Sequence, residues 1–372
     1  MKTDVAFLFL GETLLIPHLY PVLEALSDAA PETGIDVWVA TSMHEALVRG
    51  WLGERARVRF RRAPGYRDLG QWEAGRNPPL PAKLPLLARL APRLLRTRIV
   101  VSAEQTSLWI PTMLPIGARF VNILHGAGSM MNRDDRRRKA AALTIVAATR
   151  EREALAAHGV DPGRIEAVGY IKAGFRHRTQ AAPAFAEARP TILYAPHWQR
   201  HRSSWWAWGE AAVARVLATG RYNLIFAPHQ RLVEKAPEVR EFAAGIGARR
   251  DVHVDLDSFA MVDGSYTAAA DLYLGDTSSQ VVEFLMRPRP CVFLDPLGVA
   301  WAGDPSYAMW TAGEVVTDID ALLPALDRAG VRHPQFVTAQ RDFASASLGE
   351  TDGAAPGRAA AAILRMRAAL DR

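Results

Sequence analysis

The chain has 372 residues, of which 49% are hydrophobic and 23% charged, with a formal net charge of +6 and a single cysteine. This is ordinary globular material, long enough for two domains with sizeable cores. It excludes an internal disulfide framework, and the lone Cys291, set in an apolar strand pattern, fits a reducing compartment.

The positive charge is nearly all arginine, since lysine occurs only at positions 2, 83, 139, 172 and 235. A forked guanidinium suits phosphate recognition, but a high-GC genome produces the same bias without functional meaning. The arginines are scattered, and no zinc-finger, basic-zipper or aromatic RNA-binding pattern accompanies them, so nucleic acid is not an expected partner.

In chain order, the apolar run Val5 to Leu10 is too short to span a membrane and lacks a cleavage pattern, so it reads as a first buried strand. A helix over Pro17 to Leu26, a strand over Ile35 to Ala40, a helix over His44 to Trp51 and a strand over Arg57 to Phe60 continue in βαβ order. From Ala63 to Pro81 the text is rich in Gly, Pro, Arg and Trp without a period, which predicts a long loop. Lys83 to Arg98 alternates leucine with basic residues at helical spacing, with prolines at 85 and 92. That pattern suits either a surface helix packing its leucines on the sheet or an interfacial helix on an anionic membrane.

Strands follow at Ile99 to Val101 and Phe120 to Leu124, and the second delivers His125-Gly126-Ala127-Gly128-Ser129 at its carboxyl end, where α/β sheets keep their sites. A histidine there titrates near neutrality, as a general base must, and Gly126 allows close backbone approach. A strand over Leu143 to Ala147, a helix over Glu151 to His158 and a strand over Ile165 to Gly169 close this half. Arg176 to Pro190 has linker composition, which places a domain boundary at 180/181.

The second half repeats the plan. Thr191-Ile192-Leu193-Tyr194-Ala195-Pro196-His197-Trp198 reads as strand then loop, Trp205 to Ala218 as helix, and Tyr222 to His229 as a strand ending in a second histidine. Val252 to Asp255 is a strand and Phe259 to Ala269 a helix. The densest signal is Tyr273-Leu274-Gly275-Asp276-Thr277-Ser278-Ser279-Gln280-Val281-Val282-Glu283, in which an apolar strand runs into a hydroxyl pair that opens a helix. Such a turn is ordinary capping, or an anion site in which free amides, hydroxyls and the helix dipole meet a phosphate. A further strand begins at Cys291, and no paired carboxylates sit at metal-ligand spacing.

Six segments, taken together and in order, resemble the CDP-glycerol glycerophosphotransferase family of teichoic-acid and capsule polymerases. They are His125-Gly126; Glu166-Ala167-Val168-Gly169-Tyr170; Ile192-Leu193-Tyr194-Ala195-Pro196; His229; Asp276-Thr277-Ser278-Ser279 with Glu283; and Asp352-Gly353-Ala354-Ala355 with Arg358-Ala359. The chain departs from the family in having Ala127-Gly128 and no nearby lysine after His-Gly, His197 where threonine is usual, Gln230 after the second histidine, and Thr277 in place of tyrosine.

The resemblance implies an α/β fold of two Rossmann-like domains facing across a cleft, of GT-B type: 1–180 on the acceptor side, 181–350 on the nucleotide-donor side, and a C-terminal helix over 351–372. It implies a transferase that moves a polyol phosphate from a CDP-activated donor to a hydroxyl acceptor, without cofactor or metal. His125 looks like the catalytic base and His229 like the histidine beside the donor diphosphate. Gly126, Pro196, His197, Asp276, Thr277, Ser278, Ser279 and Glu283 fall in the donor site. A lipid-linked acceptor would place the protein on the inner face of the cell membrane, held peripherally through 83–98; otherwise it is cytoplasmic. A nucleotide-sugar glycosyltransferase of the same fold needs the same base and diphosphate site. A non-catalytic nucleotide-binding protein is the alternative from another class.

Overall fold

The computed structural model describes residues 3–70, 79–125, 136–179 and 183–372. Strands β1 (Thr3–Phe9), β2 (Ile35–Thr41), β3 (Val58–Arg67), β4 (Thr97–Ser102), β5 (Arg119–Ile123), β6 (Leu143–Val146) and β7 (Ile165–Ala167) form one sheet in the order β3-β2-β1-β4-β5-β6-β7. Strands β8 (Thr191–Tyr194), β9 (Asn223–Phe226), β10 (Val252–Val254), β11 (Leu272–Gly275), β12 (Cys291–Leu294) and β13 (Glu314–Val316) form a second in the order β10-β9-β8-β11-β12-β13. Neighbouring strands run parallel in both sheets. This explains the continuous apolar runs: a parallel strand is covered by helices on both faces, so Val5, Ala6, Phe7, Leu8 and Phe9 are all buried whichever way they point.

In each sheet the strand order reverses once, between β1 and β4 and between β8 and β11. At such a switch point the flanking connections leave in opposite directions and open a crevice at the carboxyl ends of the strands. The chain is therefore two Rossmann-like domains, each with its crevice at the carboxyl edge.

Two stretches differ from the sequence expectation, and a third decides between the two readings it left open. The predicted loop 63–81 begins as strand, for β3 continues to Arg67; residues 71–78 of that loop lie outside the described residues. β3 is an edge strand, and an edge tolerates the Arg, Gly and Pro that hid its alternation. Arg59 pairs with Asp36 of β2, and Arg62 with Glu45. The basic-leucine segment forms the helix Lys83–Leu94 and buries Leu86, Leu87, Leu90 and Leu94 against Trp38, Val100 and Phe120. Four of the six leucines that the interfacial reading would insert are thus in the core, as the surface-helix reading has them, and Leu84 and Leu95 alone among the six stay exposed. The predicted helix Phe259 to Ala269 is divided at Gly264, whose φ of 89° ends one turn and starts the short helix Ser265–Ala269.

The C-terminal helix Ala355–Ala369 returns to the first sheet, where Ala355, Ala359 and Ile363 share a core with Tyr20, Leu23 and Leu26 of the helix Ile16–Ala29. The crossing is tied where Tyr170 N–H donates to the Glu350 carbonyl and Arg358 Nε to the Val168 carbonyl. Gly169 is required there: its φ is +91°, and a side chain would lie 2.6 Å from the Glu350 carbonyl oxygen. Tyr20, Trp51, Phe175, His177 and Phe259 form an aromatic cluster that joins the two halves beside the cleft. No helix among the described residues is long and apolar enough to cross a membrane.

Candidate active site

The carboxyl edges of the two sheets meet at a solvent-open cleft of about 650 Å³, lined by His18, His125, Lys172, His229, Ser278 and Glu283 among others. His125 follows β5 and lies beside the end of β4, so its Nδ1 sits 2.8 Å from the Ala103 carbonyl. A carbonyl only accepts, which puts the ring proton on Nδ1 and leaves a lone pair on Nε2. The ring keeps contact with solvent through the cleft, yet surrounding protein crowds it, and this desolvation holds its pKa below the usual histidine value against the raising effect of the Ala103 bond. At neutral pH His125 is an uncharged imidazole whose Nε2 can accept a proton.

His229 is built the opposite way. It caps the helix Gln230–Lys235, where its Nδ1 accepts the Arg231 backbone N–H at 3.1 Å. The proton must then reside on Nε2, which makes that nitrogen a donor. Burial, followed by the nearby Arg231 cation, lowers its pKa to about 4, so it donates as a neutral group. His197 has the same tautomer, accepting from the Gln199 N–H at 3.2 Å, with its ring centre 6.1 Å from that of His229. Its pKa falls to about 3, first by burial and then by His229. Pro196 is buried and contributes its carbonyl, which accepts the His229 N–H and sets the two loops side by side.

The turn after β11 divides into buried and open parts. Asp276 is not at the cleft: its carboxylate is 1% exposed and accepts N–H donors from His197 and Ser204 and the Ser204 hydroxyl. Burial nonetheless pushes its pKa up to about 6. Its carboxylate is spent on the His197 backbone N–H and on Ser204. Thr277 also points inward, accepting from Arg202 Nε at 3.0 Å. Ser278 lines the cleft as the N-cap of the helix Ser279–Phe284, its Oγ accepting from the Gln280 N–H. That helix, which Ser279 opens, has six residues, so its dipole is weak and the amides of its first turn are what it offers an anion.

Glu283 faces the cleft from the last turn of this helix and is neutralised across the domain junction. Lys172 Nζ lies 2.7 and 2.6 Å from its two oxygens, and Tyr170 Oη donates to it at 2.6 Å. The Lys172 and Glu283 side chains are both 9% exposed. A second pair, Arg231 with Glu12 at 2.5 Å, crosses the same junction nearer to solvent.

Of the sequence candidates, the structure brings His125, His229, Ser278 and Glu283 to one cleft, sets His197 and Pro196 behind His229, and turns Asp276 and Thr277 inward. Gly126 lies outside the described residues. Sequence reasoning missed His18 and Lys172. His18, at the start of the helix after β1, makes no hydrogen bond among the described residues and places its ring 6.2 Å from His125. Its pKa is well below normal through burial, then Lys172 and His125. The signals were its place at the switch point and, for Lys172, the scarcity of lysine in the chain.

The sequence matches no family model and no curated protein. Solved structures do resemble this one. A wall teichoic acid polymerase TagF soaked with CDPG matches with a TM-score of 0.66 at 12% identity, covering 99% of this chain and 89% of that one. A UDP-N-acetylglucosamine 2-epimerase matches with 0.63 at 15% identity, covering 99% and 97%. MnaA of S. aureus, solved with UDP, matches with 0.62 at 13% identity, covering 99% and 97%. The likeness is one of fold, and with the two sheets described above it defines the architecture as GT-B.

Proposed function

We propose that the protein is a transferase that moves a polyol phosphate from a CDP-activated donor to a hydroxyl acceptor, with residues 1–180 on the acceptor side and 181–350 holding the nucleotide. The observation that carries this reading is the pair of histidines on facing edges, one offering a lone pair and the other an N–H to the same cleft. His125 Nε2 takes the proton of the acceptor hydroxyl as its oxygen bonds to the transferred phosphorus. The bridging P–O bond breaks, and the nucleotide phosphate leaves with the electron pair. The charge that grows on that phosphate meets His229 Nε2–H, the Ser278 hydroxyl and the Lys172 ammonium, which are preset donors in a partly dry site. A lipid-linked acceptor would be met without insertion of the leucines of 83–98 that belong to the core.

The test is a panel of CDP-, UDP- and GDP-linked donors, scored by thermal stabilisation and by slow hydrolysis. CDP-linked polyols should raise the melting temperature and release CMP. Stabilisation by UDP- or GDP-sugars alone would replace this reading by glycosyl transfer, in which the same base and diphosphate donors serve. Response to no donor would contradict it.

A further inference from the structure

At the far end of the helix Ser279–Phe284 a second cavity of about 780 Å³ opens to solvent, separated from the cleft by the Lys172–Glu283 pair that lines both. Its charged lining is Lys172, Arg178, Arg287 and Arg289 against Glu283 and Asp263, an excess of two positive charges. Neither carboxylate serves the arginines. Glu283 is held by Lys172 and Tyr170, and Asp263, 2% exposed, accepts from the N–H and hydroxyl of Thr179 and the N–H of Ser265.

Among the described residues the three arginines have no acid within ion-pairing distance. Arg289 spends its N–H groups on the carbonyls of Thr267, Ala270, Phe284 and Arg287 and lies over the Phe284 ring at 3.7 Å. Burial and the neighbouring Arg287 lower its pKa to about 10. Arg287 has a single carbonyl partner, Ala268, and Arg178 makes no hydrogen bond or ion pair among the described residues. Other arginines do find carboxylates, as Arg328 and Arg332 do on Glu314. Like charges gathered around a concavity without counterions raise one another's cost until an anion enters. Planar forks select an oxyanion that can accept bidentately.

We propose that this cavity binds a small phosphate-bearing anion at a site separate from the nucleotide cleft. Calorimetric titration with inorganic pyrophosphate at low ionic strength tests it. Wild-type protein and His229→Ala should both show binding, whereas Arg178→Gln/Arg287→Gln should lose the component that His229→Ala retains, weakened by about tenfold or more. Ala268→Glu, which puts a carboxylate beside the arginines without deleting any side chain, should abolish the same component and so exclude a folding defect as the cause. Pyrophosphate binding unchanged in both cavity variants would overturn the proposal, as would binding that His229→Ala removes entirely. Absence of any component removed by His229→Ala would count against the reading of the cleft and leave the second site standing.

Discussion

His125 and His229 occupy corresponding places, each just beyond the carboxyl end of a strand, yet they present opposite faces of the same chemistry to one cleft. What differs is the backbone group that each Nδ1 meets. A carbonyl on the neighbouring strand fixes the proton of His125 on Nδ1, and an amide two residues further along fixes the proton of His229 on Nε2. His44 supplies a control, with Nδ1 against Thr41 Oγ1 and Nε2 against the Gly11 carbonyl, both nitrogens occupied and the residue 1% exposed. The lesson is that residue type and strand-end position nominate a site histidine, while its hydrogen-bond partner assigns its role.

The largest expected effect breaks the comparison on the His125 side. His125→Ala should lower turnover by about 10²–10⁴-fold, the usual weight of a general base, with donor affinity nearly unchanged. His125→Gln should do no better, because an amide cannot take the proton. Steady-state kinetics paired with donor binding decides, and activity within a few-fold of wild type would remove His125 from the mechanism.

The comparison also presumes that the two edges are held together, which the Lys172–Glu283 pair does. Lys172→Met leaves a buried carboxylate without its cation and should cost about 3–5 kcal/mol by denaturant unfolding. Adding Glu283→Gln, which still accepts from Tyr170, should restore much of that loss. No recovery would mean that the lysine matters for packing rather than for charge.

The control histidine contributes to the pH dependence of stability, together with the buried His18, His197 and His229. Burial lowers the His44 pKa to about 4. The unfolded chain therefore takes up this proton first as the pH falls, so stability is fully present above about pH 6.5 and lost between there and about pH 4, by about 3 kcal/mol for this one residue. His44→Gln should remove its share of that slope, about one proton's worth, and leave the acid limb of kcat/KM in place. That limb reports His125, whose lowered pKa puts its midpoint below the ordinary histidine value.

His229→Ala should give the smallest effect of the series, about 1.5–3 kcal/mol in donor binding, the weight of a hydrogen bond to a charged group. His229→Gln should recover part of it, since glutamine can donate where Nε2–H did. Equal losses in the two variants would mean that His229 shapes the loop and donates nothing.

Much of this was legible in the chain. Apolar runs such as Val5 to Leu10 mark buried parallel strands, and both histidines and the serine after β11 fall where such strands end. The remainder depends on partners that sequence does not place. β3 was hidden beyond Phe60 because an edge strand alternates poorly, and the leucines of 83–94 have the same spacing whether they face a sheet or a bilayer. Asp276 looked like a ligand group because capping residues and buried hubs share a composition. Lys172 reaches the cleft only because the two domains meet, and the His125 tautomer depends on a carbonyl 22 residues away.

The central claim is the opposed tautomers, and ring-nitrogen NMR tests it most directly. In 15N-labelled protein near pH 7, with assignments from the His125→Ala and His229→Gln spectra, the account predicts a protonated Nδ1 and bare Nε2 for His125 and the reverse for His229. A proton on Nε2 of His125, or the same tautomer in both rings, would contradict it.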